Sequence, residues 1–276
     1  MKNILLGLFV CLLLSGCVGL SENGRVAVAA SPIDITYNDG IYHIIVGQDR
    51  AKKKVKIYSS GTLVTNAEVH KNSGAELTVN AGFFDPKNGK TISYVVSEGA
   101  TIEDPNFNEA LLSNPVLRKN LSKILNRTEF RILECDNKYK YQIAPHNAPV
   151  EFACSVKDSV QGGPMILPSL QLEEEFFISK DKDGKIIRES CSVLHKVART
   201  ILGIKDGNLH ILIITDEHPM DMYEVQELCK NLGFDSAMGL DGGSSTSMDY
   251  KDIYHVISIK GDGAGRKLKS FITVFK

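Results

Sequence analysis

The sequence has no tryptophan, and aromatic residues fill only 7% of its 276 positions. A sugar-binding surface on this chain must therefore be built from tyrosine and phenylalanine. It also has no surplus of charge, with 32 Lys+Arg against 33 Asp+Glu. Such a chain carries no basic footprint for a nucleic-acid backbone, which argues against that partner. No apolar run reaches the ~20 residues that cross a bilayer. No cysteine pair has the C-x-x-C spacing of a zinc or redox site. There is no His-Glu-x-x-His, no P-loop and no G-x-S-x-G. What remains is ordinary globular composition, 43% hydrophobic and 24% charged, which excludes collagen-like and disordered classes.

The first residues read as an address. Lys2 precedes an eleven-residue apolar run over 4–14, the layout of a signal peptide. The run ends in Leu14-Ser15-Gly16-Cys17, which resembles the lipobox of bacterial lipoproteins. That resemblance implies a signal peptide over 1–16, cleavage before Cys17, acylation of its thiol and membrane attachment by lipid. An ordinary cleaved signal with a chance cysteine is the alternative. Residues 17–31 then form a tether. Val18 stands where an Asp often retains lipoproteins at an inner membrane. Its presence points to the periplasmic side of an outer membrane, in a cell with two. Export brings an oxidising compartment and four cysteines, Cys135, Cys154, Cys191 and Cys229, which allow three pairings. Cys135–Cys154 is favoured because the eighteen residues between them can form a local strand pair. Cys191–Cys229 follows by elimination, and free thiols are the alternative.

Short apolar segments predict strands over 41–47, 54–58, 77–80 and 92–96. Asn114-Pro115 reads as a helix start, followed by an apolar stripe of Val116, Leu117, Leu121, Ile124 and Leu125. Residues 160–167 read as a strand interrupted by Gly-Gly-Pro. Residues 176–187 read as a hairpin around Asp183-Gly184, and 199–215 as a hairpin around Asp206-Gly207. Asp221 with Glu224 resembles a capping box. Met222, Val225, Leu228, Cys229 and Leu232 share one face of the helix that follows, and Gly233 stops it. Two strands close the chain, over 253–259 and 271–275. Strands dominate and hairpins imply antiparallel pairing, so an α+β fold is expected, one domain over 32–276. Residues 103–157 read as a possible insertion within it.

Four segments carry more polar chemistry than packing needs. They are Asn80-Ala81-Gly82-Phe83-Phe84, Gln161-Gly162-Gly163-Pro164, Arg199-Thr200-Ile201-Leu202-Gly203 and Asp241-Gly242-Gly243-Ser244-Ser245. Glycine lets successive N–H groups approach one anion. Ser244, Ser245 and Thr246 add hydroxyls, and Arg199 offers a planar fork for phosphate or carboxylate. Asp241 is the natural carboxylate for acid, base or nucleophile work.

Together and in this order, the segments resemble the phosphodiester glycosidase family. Its Asn-Gly-Gly-Phe-Phe is matched by 80–84 and its Gly-Pro strand by Gly163-Pro164. Its Arg-Thr-Ala-Ile-Gly strand is matched by 199–203, and its Asn-Leu-Asp-Gly-Gly-Gly-Ser-Ser by 239–245 as Gly-Leu-Asp-Gly-Gly-Ser-Ser. The resemblance covers roughly 40–276 and is poorest over 103–157. Ala81 and Ser244 each replace a family glycine, Gly239 replaces an Asn, and Asp216-Glu217-His218-Pro219 departs from the usual turn.

The resemblance implies hydrolysis of a sugar-1-phosphodiester at the glycosidic bond. It places Asp241, Arg199 and Asn80 in catalysis. It places Gly82, Phe83, Gln161, Gly163, Thr200, Gly242, Gly243, Ser244 and Ser245 at the substrate. Glu98, Asp85, Glu217 and His218 are candidate partners for Asp241. The leaving group is a phosphomonoester, so strong acid help is less needed. The separation of two carboxylates would decide inversion or retention. No cofactor is required by any motif, and a divalent cation stays open. The expected function is a cell-envelope hydrolase. The alternatives are a non-catalytic glycan- or phosphate-binding lipoprotein and a purely structural envelope protein.

Overall fold

Residues 209–214 carry five apolar side chains and one histidine, too many for a strand with one face in water. Their strand is indeed covered on both sides. In the structure, a computed structural model, Leu209, Ile211 and Ile213 point into one core and Leu212 and Ile214 into another. The described residues are 33–258 and 263–276. The expected signal peptide, the tether and Cys17 lie outside them. Pro32–Lys276 forms one unit.

Along the chain come β1 (Ile33–Asn38), β2 (Ile41–Val46), β3 (Val55–Val64), α1 (Asn66–Ser73), β4 (Leu77–Asn80), β5 (Val95–Ser97) and β6 (Ala100–Glu103). Short helices α2 (Glu109–Ser113), α3 (Pro115–Arg118) and α4 (Leu121–Leu125) follow. Next are β7 (Thr128–Cys135), β8 (Lys138–Pro145), β9 (Cys154–Gln161), β10 (Met165–Leu167), β11 (Ile178–Lys180) and β12 (Ile186–Glu189). The chain ends with β13 (Arg199–Lys205), β14 (Asn208–Ile214), α5 (Met222–Asn231), β15 (Ser236–Gly239), β16 (Ser247–Tyr250), β17 (Tyr254–Ile257) and β18 (Leu268–Val274).

Three antiparallel sheets surround the larger core. Their orders are β1-β2-β14-β13-β15-β10, β17-β16-β4-β18-β3 and β6-β5-β9-β7-β8, with β11-β12 as a separate ribbon. Ile44, Ile57, Val79, Phe130, Ile132, Val160, Ile211 and Ile272 meet there. β7 thus feeds the common core from within 103–157. The second core lies between the six-stranded sheet and α5, where Val225 and Cys229 pack with Ile201, Leu212 and Phe177. The architecture is the expected α+β fold, mostly antiparallel with few helices.

Local signals set many boundaries. Asp221 accepts from the Tyr223 and Glu224 N–H groups and forms a full capping box. Asp206-Gly207, both at positive φ, turn β13 into β14 in register from Arg199↔Ile214 to Lys205↔Asn208. The expected helix over 115–125 is instead two, because the Asn120 side chain donates to Val116 O (3.0 Å) and takes the turn for itself. Strands β2 and β3, adjacent in the chain, sit in different sheets.

The cysteines need one correction. Cys135 and Cys154 are bonded, facing each other across β7 and β9. Cys191 and Cys229 are free thiols, not a pair. Cys229 faces the core with the apolar stripe of α5, where burial pushes its thiol up to about 12. Cys191 sits on the turn after β12.

Candidate active site

The other three polar segments meet the fourth at one short stretch, residues 239–243. The Asp241 N–H donates to Ala81 O (3.0 Å), and Leu240 N–H to Thr200 O (2.9 Å). Gly163 N–H donates to Gly239 O (2.8 Å), and Gly243 N–H to Ala198 O (2.7 Å). Three chain segments, the end of β4, the link before β10 and the start of β13, thus fix the Asp241 loop. Glycine is required where backbones touch: a Cβ on Gly162 would lie 2.7 Å from Gly239 O.

Asn80 ties the knot. Its Nδ2 donates to Asp241 O (2.5 Å). Its Oδ1 accepts from Thr200 Oγ1 (2.7 Å) and from Ser247 N–H (3.1 Å). Buried and fully engaged, Asn80 holds the loop that carries Asp241. Gln161 does the same for the approach to β7, donating to Leu125 O (2.9 Å) and Arg127 O (3.2 Å). The Gly82 and Phe83 N–H groups are taken by the Ser270 and Ser93 hydroxyls.

Asp241 is partly buried on its loop. Burial pushes its carboxyl up to about 6. Ser245, Arg266 and the Gly242 N–H pull against the rise. Ser245 Oγ leans toward the carboxyl but meets no partner in full hydrogen-bond geometry. It is one of three enclosed polar atoms in these segments, with Thr246 Oγ1 and Gln161 Oε1, that are unpaired among the described residues. Gly243, at φ +59, has open space where a Cβ would stand.

Arg199 is placed differently from what its fork suggests. Its guanidinium donates to Met220 O (2.9 Å), Ser192 O (2.7 Å), His195 O (2.8 Å) and Cys191 O (3.4 Å). Only 4% of the residue is exposed. It clamps the 191–195 turn beside the loop, and burial lowers its pKa to about 10.

The cation that acts on the Asp241 carboxyl is Arg266, which sequence reasoning missed. Its Nη1 donates to Ser244 Oγ (2.7 Å), and its guanidinium lies 5.2 Å over the Phe84 ring. The available signal was a run of alternating glycines, Gly261-Asp262-Gly263-Ala264-Gly265, just before it. A second missed arginine, Arg127, is buried against the Phe177 ring (4.0 Å) and donates to Glu175 O (2.9 Å). Arg127 and Asp241 both act on the Cys191 thiol, which burial holds above its ordinary pKa.

The proposed partner acids go elsewhere. Glu98 pairs with Lys53 (2.8 Å) and Lys56 (3.6 Å) on the β5–β6 turn. Asp85 accepts from Lys87 N–H (2.8 Å) and shapes its own turn. Glu217 accepts from the Tyr37 hydroxyl (2.6 Å), and His218 faces Asp39 (3.1 Å), both at the β1–β2 hairpin. Among the described residues, no group of three or more His, Cys, Asp or Glu side chains converges as a metal site.

The phosphodiester glycosidase family pattern matches residues 73–275, and the chain belongs to that family. The fold is similar to the zebrafish N-acetylglucosamine-1-phosphodiester alpha-N-acetylglucosaminidase catalytic domain, a structure auto-inhibited by its pro-peptide. The TM-score is 0.62 at 14% identity, over 88% of this chain and 81% of that one. A hypothetical protein from Synechocystis gives 0.56 at 12% identity, over 88% of this chain and 61% of its own length. A Burkholderia pseudomallei K96243 protein gives 0.61 at 11%, over 86% and 74%. No curated protein matches the chain. At such identities the likeness carries the fold and leaves the chemistry to the residues.

Proposed function

We propose that this chain is a hydrolase of sugar-1-phosphodiesters, exported and lipid-anchored at Cys17 on the cell envelope. The observation that carries the chemistry is a carboxyl with pKa about 6, set beside Arg266 on a loop fixed by three other chain segments. At pH 7 such a group is ionised roughly ten to one, so it can take a proton from water or attack carbon directly. In the simpler course, Asp241 accepts a proton while water oxygen bonds to the anomeric carbon. The bond from that carbon to the phosphate oxygen breaks, and the phosphomonoester leaves with the electron pair. Arg266 and the Ser244 hydroxyl meet the phosphate charge. Arg199 and Asn80 are positioning residues, and the buried Ser245 hydroxyl leans on the Asp241 carboxyl from behind.

The test is release of free sugar and phosphomonoester from a p-nitrophenyl phosphodiester of GlcNAc-1-phosphate, beside an Asp241→Asn control. Release by the natural chain and its loss in the control support the reading. Release unchanged in the control removes Asp241 from the mechanism. One observation favours the second reading, a binding protein without turnover: the family arginine Arg199 spends its donors on backbone carbonyls. Retention of a sugar phosphate with no product would support that reading.

A further inference from the structure

A chain without tryptophan has nonetheless assembled an aromatic ladder along one edge. Tyr37 and Tyr42 pack with ring centroids 4.6 Å apart, Tyr42 meets Tyr254 at 5.4 Å, and Tyr254 stacks on Tyr250 at 6.3 Å. These rings come from four strands of two sheets, β1, β2, β17 and β16. The ladder is not sealed, since Tyr37 is 49% exposed. Its open end lines a cavity of about 280 Å³ together with Thr215, Asp216, Glu217 and His255. That is the small end of the roughly 300–1,000 Å³ range of small-molecule pockets, with room for a sugar ring but not for a long chain segment.

The polar groups are already oriented. Glu217 Oε2 accepts from the Tyr37 hydroxyl (2.6 Å), which leaves Oε1 without a hydrogen bond among the described residues. His255 Nδ1 is held by Asp249 Oδ1 (2.6 Å), which leaves Nε2 on a half-exposed ring. Thr215 Oγ1 is tied to Gly40 O (2.8 Å). Among the described residues, the lining carries the Glu217 carboxylate with its Oε1 open and no lysine or arginine. The Glu217 carboxylate suits ring hydroxyls, which donate to it while the C–H face of a pyranose lies on an aromatic ring, and it repels a phosphate.

The cavity also has a structural link to the Asp241 loop. Ser258 N–H donates to Thr246 O (3.0 Å), while Ser258 Oγ donates to Asp216 Oδ2 (2.7 Å) at the cavity wall. We propose that the Tyr37–Tyr42 groove is a binding subsite for a neutral sugar ring, separate from the arginine-bearing Asp241 loop. It extends the hydrolase reading by giving a glycan substrate a second, uncharged point of attachment, but binding there requires no hydrolysis.

The test uses the full chain and three probes that contain no phosphate: the tetrasaccharides of glucose, mannose and N-acetylglucosamine. Binding is read by saturation-transfer NMR and by calorimetry. At least one probe should bind, and Tyr37→Ala should weaken it about tenfold through loss of the stacking face. Glu217→Gln, which keeps the side-chain volume, should weaken it several-fold and guards against a folding defect in the first variant. Asp241→Asn should bind like the natural chain, so failure of this subsite and failure of hydrolysis are read separately. Inorganic phosphate should not compete. The proposal is overturned if none of the three probes binds, if both groove variants bind unchanged, or if phosphate displaces the sugar.

Discussion

Two arginine corners flank the Asp241 loop, and they do opposite things. At one, Arg199 gives its guanidinium to four backbone carbonyls and is nearly sealed from water. At the other, Arg266 gives one hydrogen bond among the described residues, to the Ser244 hydroxyl, and stays half-buried beside the carboxyl it influences. The first corner is framework and the second is open to a ligand. A guanidinium becomes a binding group by what it has left over, and neither its charge nor its motif decides that.

The sharpest way to break the comparison starts from the carboxyl between the corners. Asp241→Asn should lower sugar release about a thousandfold, as loss of a proton acceptor does. Arg199→Ala should act on folding instead: four carbonyls lose a charged donor, and chemical denaturation should show a loss of at least ~3 kcal/mol. Arg199→Lys should recover only part, because one ammonium cannot reproduce the fork. If Arg199→Ala melts normally yet fails to turn over, the two corners have been assigned the wrong way round. Arg266→Ala should lower kcat/KM about a hundredfold and leave the melting temperature nearly unchanged.

Two smaller effects follow from the raised Asp241 pKa. The rate should fall as pH drops through about 6, roughly tenfold per unit below it, because the ionised form is the active one. Stability should run in the other sense. A carboxyl near 6 in the fold and near 4 when unfolded binds its proton more tightly when folded. The natural chain should therefore lose up to ~2–3 kcal/mol between pH 4 and pH 6, and Asp241→Asn should not. Asp241→Asn should then melt several degrees higher at pH 7 while being inactive, the usual opposition between a strained site and stability.

What the sequence made legible was local or carried by the family pattern. The capping box at Asp221, the Asp206-Gly207 turn and the convergent Asp241 segment are written in adjacent residues. The fate of Arg199 was not legible, because its acceptors lie on a turn and on Met220, which no periodicity connects to it. Arg266 escaped because it lies in none of the four matched segments, although its guanidinium acts directly on Asp241. Elimination paired Cys191 with Cys229, although the same helical stripe that located α5 already turned Cys229 toward the core. The tyrosine ladder was invisible for a related reason: its members are spread from 37 to 254 and meet only when two sheets are assembled.

The knot around Asn80 has a consequence for how activity can be used. Its bonds reach Thr200, Asp241 and Ser247, separations of 120, 161 and 167 residues. Contacts of that span close late, because each carries a large loop-closure entropy before it is rewarded. A chain in which the six-stranded sheet and the sheet of β4 are undocked from each other cannot hold the loop. Turnover would then appear only when the last strand is home, and the rate at which a refolding sample regains it would time the completion of the whole molecule.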